Sequence, residues 1–212
     1  MKKPIAGIIN ISINNILSIK RALEFIGFEV IVINEDQNID HINLVVLPGV
    51  GAFNKAMKTL NETNLIKTIN KSLEKDKNFL GICLGMQLLF QESDEFIVTK
   101  GIGFFDGKIE NFRNYDVHKK TFIGWNKIKF KENFFKEKDQ LNLIQNKPFY
   151  FVHSYFANCK NNEIISGSSL NGTLNFTSAV KKNKVIAFQF HPEKSGQDGL
   201  SLLRTITKNI FA

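Results

Sequence analysis

Phe79-Leu80-Gly81-Ile82-Cys83-Leu84-Gly85-Met86-Gln87 is the stretch on which the reading of this chain turns. A short apolar run ends in Gly-x-Cys-x-Gly and passes at once into residues that favour a helix. That order is the thiol counterpart of the Gly-x-Ser-x-Gly turn, in which a strand delivers a nucleophile at a sharp bend before a helix. The bend forces its apex residue into a strained backbone conformation, and the glycines on either side remove the Cβ clashes. It also sets the sulfur at a helix N-terminus, where the dipole favours thiolate. The amide of the next residue, Leu84, points at the same spot and can serve an oxyanion. A lone cysteine is more often a buried structural residue, so the turn alone leaves the chemistry open.

Outward from this bend, short apolar runs alternate with helical patterns. Ile5–Ile9, Val30–Ile33, Leu44–Leu47 and Phe79–Ile82 read as strands; Leu17–Ile26, Ala52–Leu73 and Leu84–Phe90 read as helices. Gly27 suits the left-handed residue that closes a helix, and Pro48-Gly49 ends the third strand. Fully apolar strands between helices argue for a mainly parallel central sheet flanked by helices. The second half changes character: Gly103–Phe112, Ile123–Phe130, Phe149–Val152, Ile164–Ser168, Phe176–Val180 and Val185–Phe190 are strand-like. Turns such as Asn171-Gly172 and Lys182-Asn183 suggest antiparallel pairing there, and a last helix spans Gly199–Ile210. The fold class is therefore α/β, with an additional smaller antiparallel sheet. No fixed repeat or low-complexity linker divides the 212 residues, so one domain over 1–212 is expected.

Composition narrows the function classes. A hydrophobic fraction of 43% and a charged fraction of 23% are ordinary for a globular protein. No apolar run approaches the ~18–20 residues that span a bilayer. The stretch after Met1-Lys2-Lys3-Pro4 is too soon interrupted by asparagines for a secretory segment, so a cytoplasmic location without membrane attachment is expected. Cys83 and Cys159 stand far apart, with no CxxC pair to suggest zinc; neither a metal nor a cofactor is expected. The formal charge of +8 comes from scattered lysines mixed with acidic residues, without a nucleic-acid motif. It reads as a solvated surface, not a nucleic-acid face.

A thiolate that attacks an amide needs a proton donor for the leaving nitrogen. Phe188-Gln189-Phe190-His191-Pro192-Glu193 offers one: an apolar strand ends in His191, and Glu193 follows across a proline that fixes the turn. Glu193 can accept from one ring nitrogen and hold the other toward Cys83. A third segment, Leu47-Pro48-Gly49-Val50-Gly51-Ala52-Phe53, carries two glycines in three residues just after a strand. Backbone amides there are free to approach a ligand or to flip, which suits an oxyanion hole as well as an ordinary turn.

Together these segments resemble the class-I, triad-type glutamine amidotransferases, and more narrowly the family of glutaminase subunits of imidazole glycerol phosphate synthase. The matching pieces stand in family order: Leu47–Phe53, Gly81–Phe90 with Glu92 and Glu95, Gly101–Phe112, Gly124-Trp125-Asn126, Tyr150–Tyr155 and Phe190-His191-Pro192-Glu193-Lys194-Ser195. The elbow with His-Pro-Glu marks the class; Gly-Trp-Asn, Val-His-Ser-Tyr and His-Pro-Glu-Lys-Ser mark the subunit. The resemblance implies a catalytic triad of Cys83, His191 and Glu193, with a γ-glutamyl thioester on Cys83. It implies oxyanion elements at Val50, Gly51 and Leu84, with Gly49–Gly51 needing rearrangement for full activity. Gln87, Glu95, Ser154 and Tyr155 fall where the family holds L-glutamine. The implied partner is a (β/α)₈-barrel cyclase subunit in a heterodimer, which receives ammonia and makes imidazole glycerol phosphate and aminoimidazole carboxamide ribotide in histidine biosynthesis.

The chain departs from the family pattern at Asn10-Ile11-Ser12-Ile13-Asn14-Asn15, where many relatives read Asp-Tyr-Gly-x-Gly-Asn, and at Phe122-Ile123, where a histidine is usual. In relatives both stretches lie toward the barrel, so the departures bear on docking and not on the triad. Asn14 suits a left-handed conformation that a glycine would otherwise supply. The first alternative is a paralogous glutaminase that supplies ammonia for acetamidino sugars in surface glycans. Others are a non-catalytic relative, which an intact triad argues against, and a cysteine peptidase or γ-glutamyl hydrolase. His153 is expected to be structural and His41 and His118 to lie at the surface. Trp125 suits either core or interface, and Cys159 carries no activating motif.

Overall fold

A computed structural model describes residues 2–11, 16–135 and 138–210. Asn14 and Asn15, with Ser12 and Ile13, lie outside the described residues. In chain order the first half runs β1 (Ile5–Ile9), α1 (Ile16–Phe25), β2 (Glu29–Ile33), β3 (Leu44–Leu47), α2 (Phe53–Glu62), α3 (Leu65–Glu74), β4 (Asn78–Ile82) and α4 (Leu84–Leu88). The strands β5 (Phe90–Ser93), β6 (Thr99–Lys100), β7 (Phe105–Asn111), β8 (Phe122–Lys127) and β9 (Lys129–Phe130) follow. After α5 (Lys138–Ile144) come β10 (Pro148–His153), β11 (Tyr155–Cys159), β12 (Ile165–Asn171), β13 (Leu174–Lys182), β14 (Val185–Phe188) and α6 (Gly196–Ile210).

The strands β2, β1, β3, β4 and β14 lie side by side in that order, all parallel. Their side chains alternate between two cores, as the period of two requires. Ala6, Ile8, Leu44, Val46, Leu80, Ile82, Ile186 and Phe188 face one core with Ile19 and Leu23 of α1 and Leu202 and Leu203 of α6. Ile9, Val45, Leu47, Phe79, Val185 and Ala187 face the other, with Ala56 and Leu60 of α2 and Ile69 of α3. Burial on both faces explains the uninterrupted apolar runs.

Beyond β14 the same sheet continues through β13, β11 and β7 by antiparallel pairing. β8 and β10 form a separate two-stranded antiparallel sheet. The mainly parallel sheet with its small antiparallel companion thus matches the expected class. Buried phenylalanines fill the space beneath the second half: Phe188–Phe190 and Phe149–Phe190 ring centroids lie 4.7 Å apart, and Phe130 stacks on Phe134 at 5.0 Å.

Several boundaries differ from expectation. The single helix over 52–73 is two helices, because Asn64 between them takes a left-handed φ of 57°. The helix after Cys83 stops at Leu88, and Phe90 turns into a strand that pairs with β7. None of the described helices is long and apolar enough to cross a membrane.

Candidate active site

Cys83 sits between β4 and α4 with φ 55° and ψ −111°, outside the conformations that a non-glycine residue favours. The surroundings hold it there. Its N–H donates to the Phe188 carbonyl at 2.7 Å, which ties the bend to β14. A Cβ on Gly85 would lie 1.7 Å from the Leu47 carbonyl oxygen, so the glycine after the bend lets the first turn of α4 press against β3. Because α4 has five residues, the dipole it offers the sulfur is smaller than the expected longer helix would give.

His191 is delivered to the same place from the far end of the chain. It follows β14, is fully buried, and pairs backbone to backbone with β10: its N–H donates to the Tyr150 carbonyl at 2.9 Å. Ser195 locks the turn by donating its hydroxyl to the His191 carbonyl at 2.6 Å and accepting the Tyr150 N–H at 2.9 Å. Nδ1 of the ring lies 2.8 Å from Oε1 of Glu193, whose side chain is also fully buried. Burial disfavours the charged ring, but the nearby Cys83 and the Glu193 carboxylate outweigh it, and the imidazole is raised to about 10. The structure therefore brings Cys83, His191 and Glu193 into one electrostatically linked group that favours the protonated imidazole.

The sulfur opens into a cavity of about 590 Å³. Its walls include Val50, Gly51, Leu84, Gln87, Glu95, Ser154 and Tyr155, so every residue expected at the oxyanion and substrate positions borders one space. Glu95 is half-buried; its carboxylate accepts the Phe53 N–H at 2.7 Å, and burial raises its carboxyl above the usual range. Ser154 shares a 2.8 Å hydroxyl contact with Thr121. Gly51 has a φ of +104°, a conformation that favours glycine. The Leu84 N–H is engaged by the Gly49 carbonyl at 3.3 Å.

His153, expected to be structural, is buried among Phe112, Phe122, Phe151 and Phe176, with Nδ1 2.8 Å from the Tyr155 carbonyl. Burial lowers its pKa to about 4, so it is neutral near pH 7. His41 and His118 are exposed, and burial raises the Cys159 thiol to about 11. Trp125 is 56% exposed beside Ile123, at 57%, on β8, which places it outside the core.

Gln189, which the sequence motifs do not single out, is fully buried and donates Nε2 to Cys83 Sγ at 3.8 Å. A polar residue between two phenylalanines at the end of an apolar strand is a legible signal, since a buried amide demands partners. Tyr150 and Lys194, which also line the cavity, carried no comparable signal.

Comparison with known proteins places this geometry in context. The family model for class-I glutamine amidotransferases matches residues 8–209. The imidazole glycerol phosphate synthase subunit HisH 2 of Methanococcus maripaludis is 40% identical over 204 residues, covering 95% of this chain and 98% of the relative. The HisH subunit of Aquifex aeolicus is 39% identical over 203 residues, 95% of each chain. That of Chlorobium chlorochromatii is 39% identical over 190 residues, 89% of this chain and 92% of the relative. Among solved structures, PurLQS from Thermotoga maritima superposes with a TM-score of 0.77 at 19% identity, over 98% of this chain and 99% of that one. At that identity the likeness speaks for the fold alone.

Proposed function

Because this chain belongs to the class-I glutamine amidotransferases, we propose that it is the glutaminase subunit of an imidazole glycerol phosphate synthase. In this reading the whole chain, 1–212, acts as one amidotransferase unit. It hydrolyses glutamine and passes ammonia to a (β/α)₈-barrel cyclase subunit, which makes imidazole glycerol phosphate and aminoimidazole carboxamide ribotide for histidine biosynthesis. Identities of 39–40% to subunits of that name, over nearly the full length of both chains, support the assignment. The observation that carries the chemistry is the Cys83 sulfur at the cavity wall, coupled to the buried His191–Glu193 pair.

The steps follow from those positions. The Cys83 thiolate adds to the carboxamide carbon of glutamine, and the carbonyl oxygen takes the negative charge. The backbone amides of Leu84 and of the Val50-Gly51 segment are the donors for that oxyanion. His191, protonated and held by Glu193, gives its proton to the nitrogen as the C–N bond breaks, releasing ammonia and leaving a thioester. Water then adds to the thioester carbon as His191 takes its proton; the C–S bond breaks, the sulfur leaves with the electron pair, and glutamate departs. The Leu84 N–H must first leave the Gly49 carbonyl, which supports a resting state that the partner activates. Gln87, Glu95, Ser154 and Tyr155 bound the space for the amino-acid end of the substrate.

Copurification with the barrel protein, followed by a test of acceptors, decides the destination. The phosphorylated ribulosyl aminoimidazole carboxamide nucleotide should raise glutamine turnover at least tenfold. Stimulation by a sugar acceptor instead would favour the surface-glycan paralogue.

A further inference from the structure

The buried amides beside the sulfur form a directed chain whose sense is set from one end. The Tyr155 carbonyl oxygen can only accept, and it takes hydrogen bonds from Gln87 Nε2 at 3.0 Å and from His153 Nδ1 at 2.8 Å. Gln87 therefore turns its nitrogen to this side, and the same nitrogen donates to Gln189 Oε1 at 3.0 Å. With its oxygen committed, Gln189 turns its own nitrogen the other way, where Nε2 donates to Cys83 Sγ at 3.8 Å. Flipping the Gln189 amide would set nitrogen against nitrogen at Gln87 and oxygen against the sulfur, two repulsive contacts in place of two attractive ones. Nor can the residue move aside: it is fully buried between Phe188 and Phe190, and its N–H donates to the Ser178 carbonyl at 2.9 Å.

We propose that Gln189 is a positioning residue for the nucleophile: its side-chain N–H steadies and aims the anionic sulfur of Cys83, while Tyr155 and Gln87 hold the amide in the donating sense. His191 also attends the sulfur, but it gives up its proton during turnover. An amide keeps its proton at every stage. Gln189 therefore remains a donor when the thioester is hydrolysed and the sulfur leaves as an anion, the moment at which His191 is collecting a proton from water. The kinetic consequence rests on the glutaminase reading above. The donation to sulfur does not, because it belongs to the resting chain.

The test separates the two. In the full chain carrying Cys159→Ser, Cys83 is the sole thiol, and its rate of alkylation by iodoacetamide at pH 7 reads the anionic, accessible sulfur. Gln189→Met keeps the volume and removes the donor; Gln189→Glu keeps the size and the acceptor for Gln87 but places a carboxylate oxygen at the sulfur. Hydrogen bonds to charged groups correspond to roughly tenfold to a hundredfold effects, so alkylation should slow about tenfold or more in both variants. In complexes with the partner, kcat should fall by a similar factor while KM for glutamine changes less than about threefold, because Gln87 stays anchored on Tyr155. A purely structural role would not produce that split. Alkylation within about twofold of the parent in either folded variant overturns the proposal, and should Gln189→Met fail to fold, Gln189→Glu carries the comparison alone. A parent complex that cannot hydrolyse glutamine would defeat the glutaminase reading, yet the alkylation rates would still decide the role of Gln189.

Discussion

At the scale of single residues, two histidines in one neighbourhood are driven in opposite directions. Burial alone would hold the His191 ring neutral, but the nearby Cys83 and Glu193 overcome it and raise it to about 10. The stability it contributes is therefore fully present below pH 6.5 and is lost as pH rises through about 10. Glu193→Gln removes one source of the upward shift, so the alkaline limb of the pH–rate profile should move to lower pH. His191→Asn, which removes the proton carrier, should cost roughly 10²–10⁴-fold in glutamine turnover. His153 has no such partner. Burial among aromatic rings, with a small contribution from the nearby His191 charge, lowers it to about 4 from 6.5. Between those values the unfolded chain binds a proton that the native chain refuses, so stability falls as pH drops from 6.5 toward 4 and levels off below. At ~1.4 kcal/mol per unit the loss is on the order of 3 kcal/mol at most. Urea denaturation at pH 7 and pH 4.5 should show a smaller drop for His153→Gln than for the parent. The positions of Cys83, His191 and Glu193 were legible because short motifs encode them. For Gln189 the need for buried partners was legible from its place between two phenylalanines, but their identity was not, because they lie 68 to 106 residues away from one another along the chain.

At the scale of elements, the bend that presents the sulfur depends on how closely α4 approaches β3. A methyl group on Gly85 would overlap the Leu47 carbonyl, so Gly85→Ala should destabilise the chain by about 3 kcal/mol or more, read as a lowered urea midpoint. Asn64, left-handed between α2 and α3, is a milder case. Asn64→Ala should cost roughly 1 kcal/mol by the same measurement. The parallel strands were readable almost residue by residue, since burial on both faces demands apolar runs of strand length. The shorter elements were not. β6 has two residues and α5 seven, too few for a periodicity to declare them, and β9, two residues long, was read only as the end of a longer strand over 123–130. The α2–α3 break was hidden because the apolar residues on either side of Asn64, such as Leu60 and Leu65, both face the same core.

At the scale of the whole molecule, the parallel half supplies the sulfur and the antiparallel half closes the cavity over it, with Tyr150 of β10 binding the His191 backbone directly. Movement of the small sheet would therefore be felt at the imidazole, and β8 of that sheet exposes Ile123 and Trp125. With the Leu84 N–H engaged by Gly49, the isolated chain should turn over glutamine weakly, and full turnover without a partner would contradict this account. The measurement that bears most directly on its centre compares Cys83→Ala with the parent in the purified two-subunit complex, using glutamine and then ammonium as the nitrogen source. Glutamine-driven synthesis should fall to background while ammonium-driven synthesis stays within about twofold of the parent. Retained glutamine-driven synthesis, or equal loss with both nitrogen sources, would contradict it.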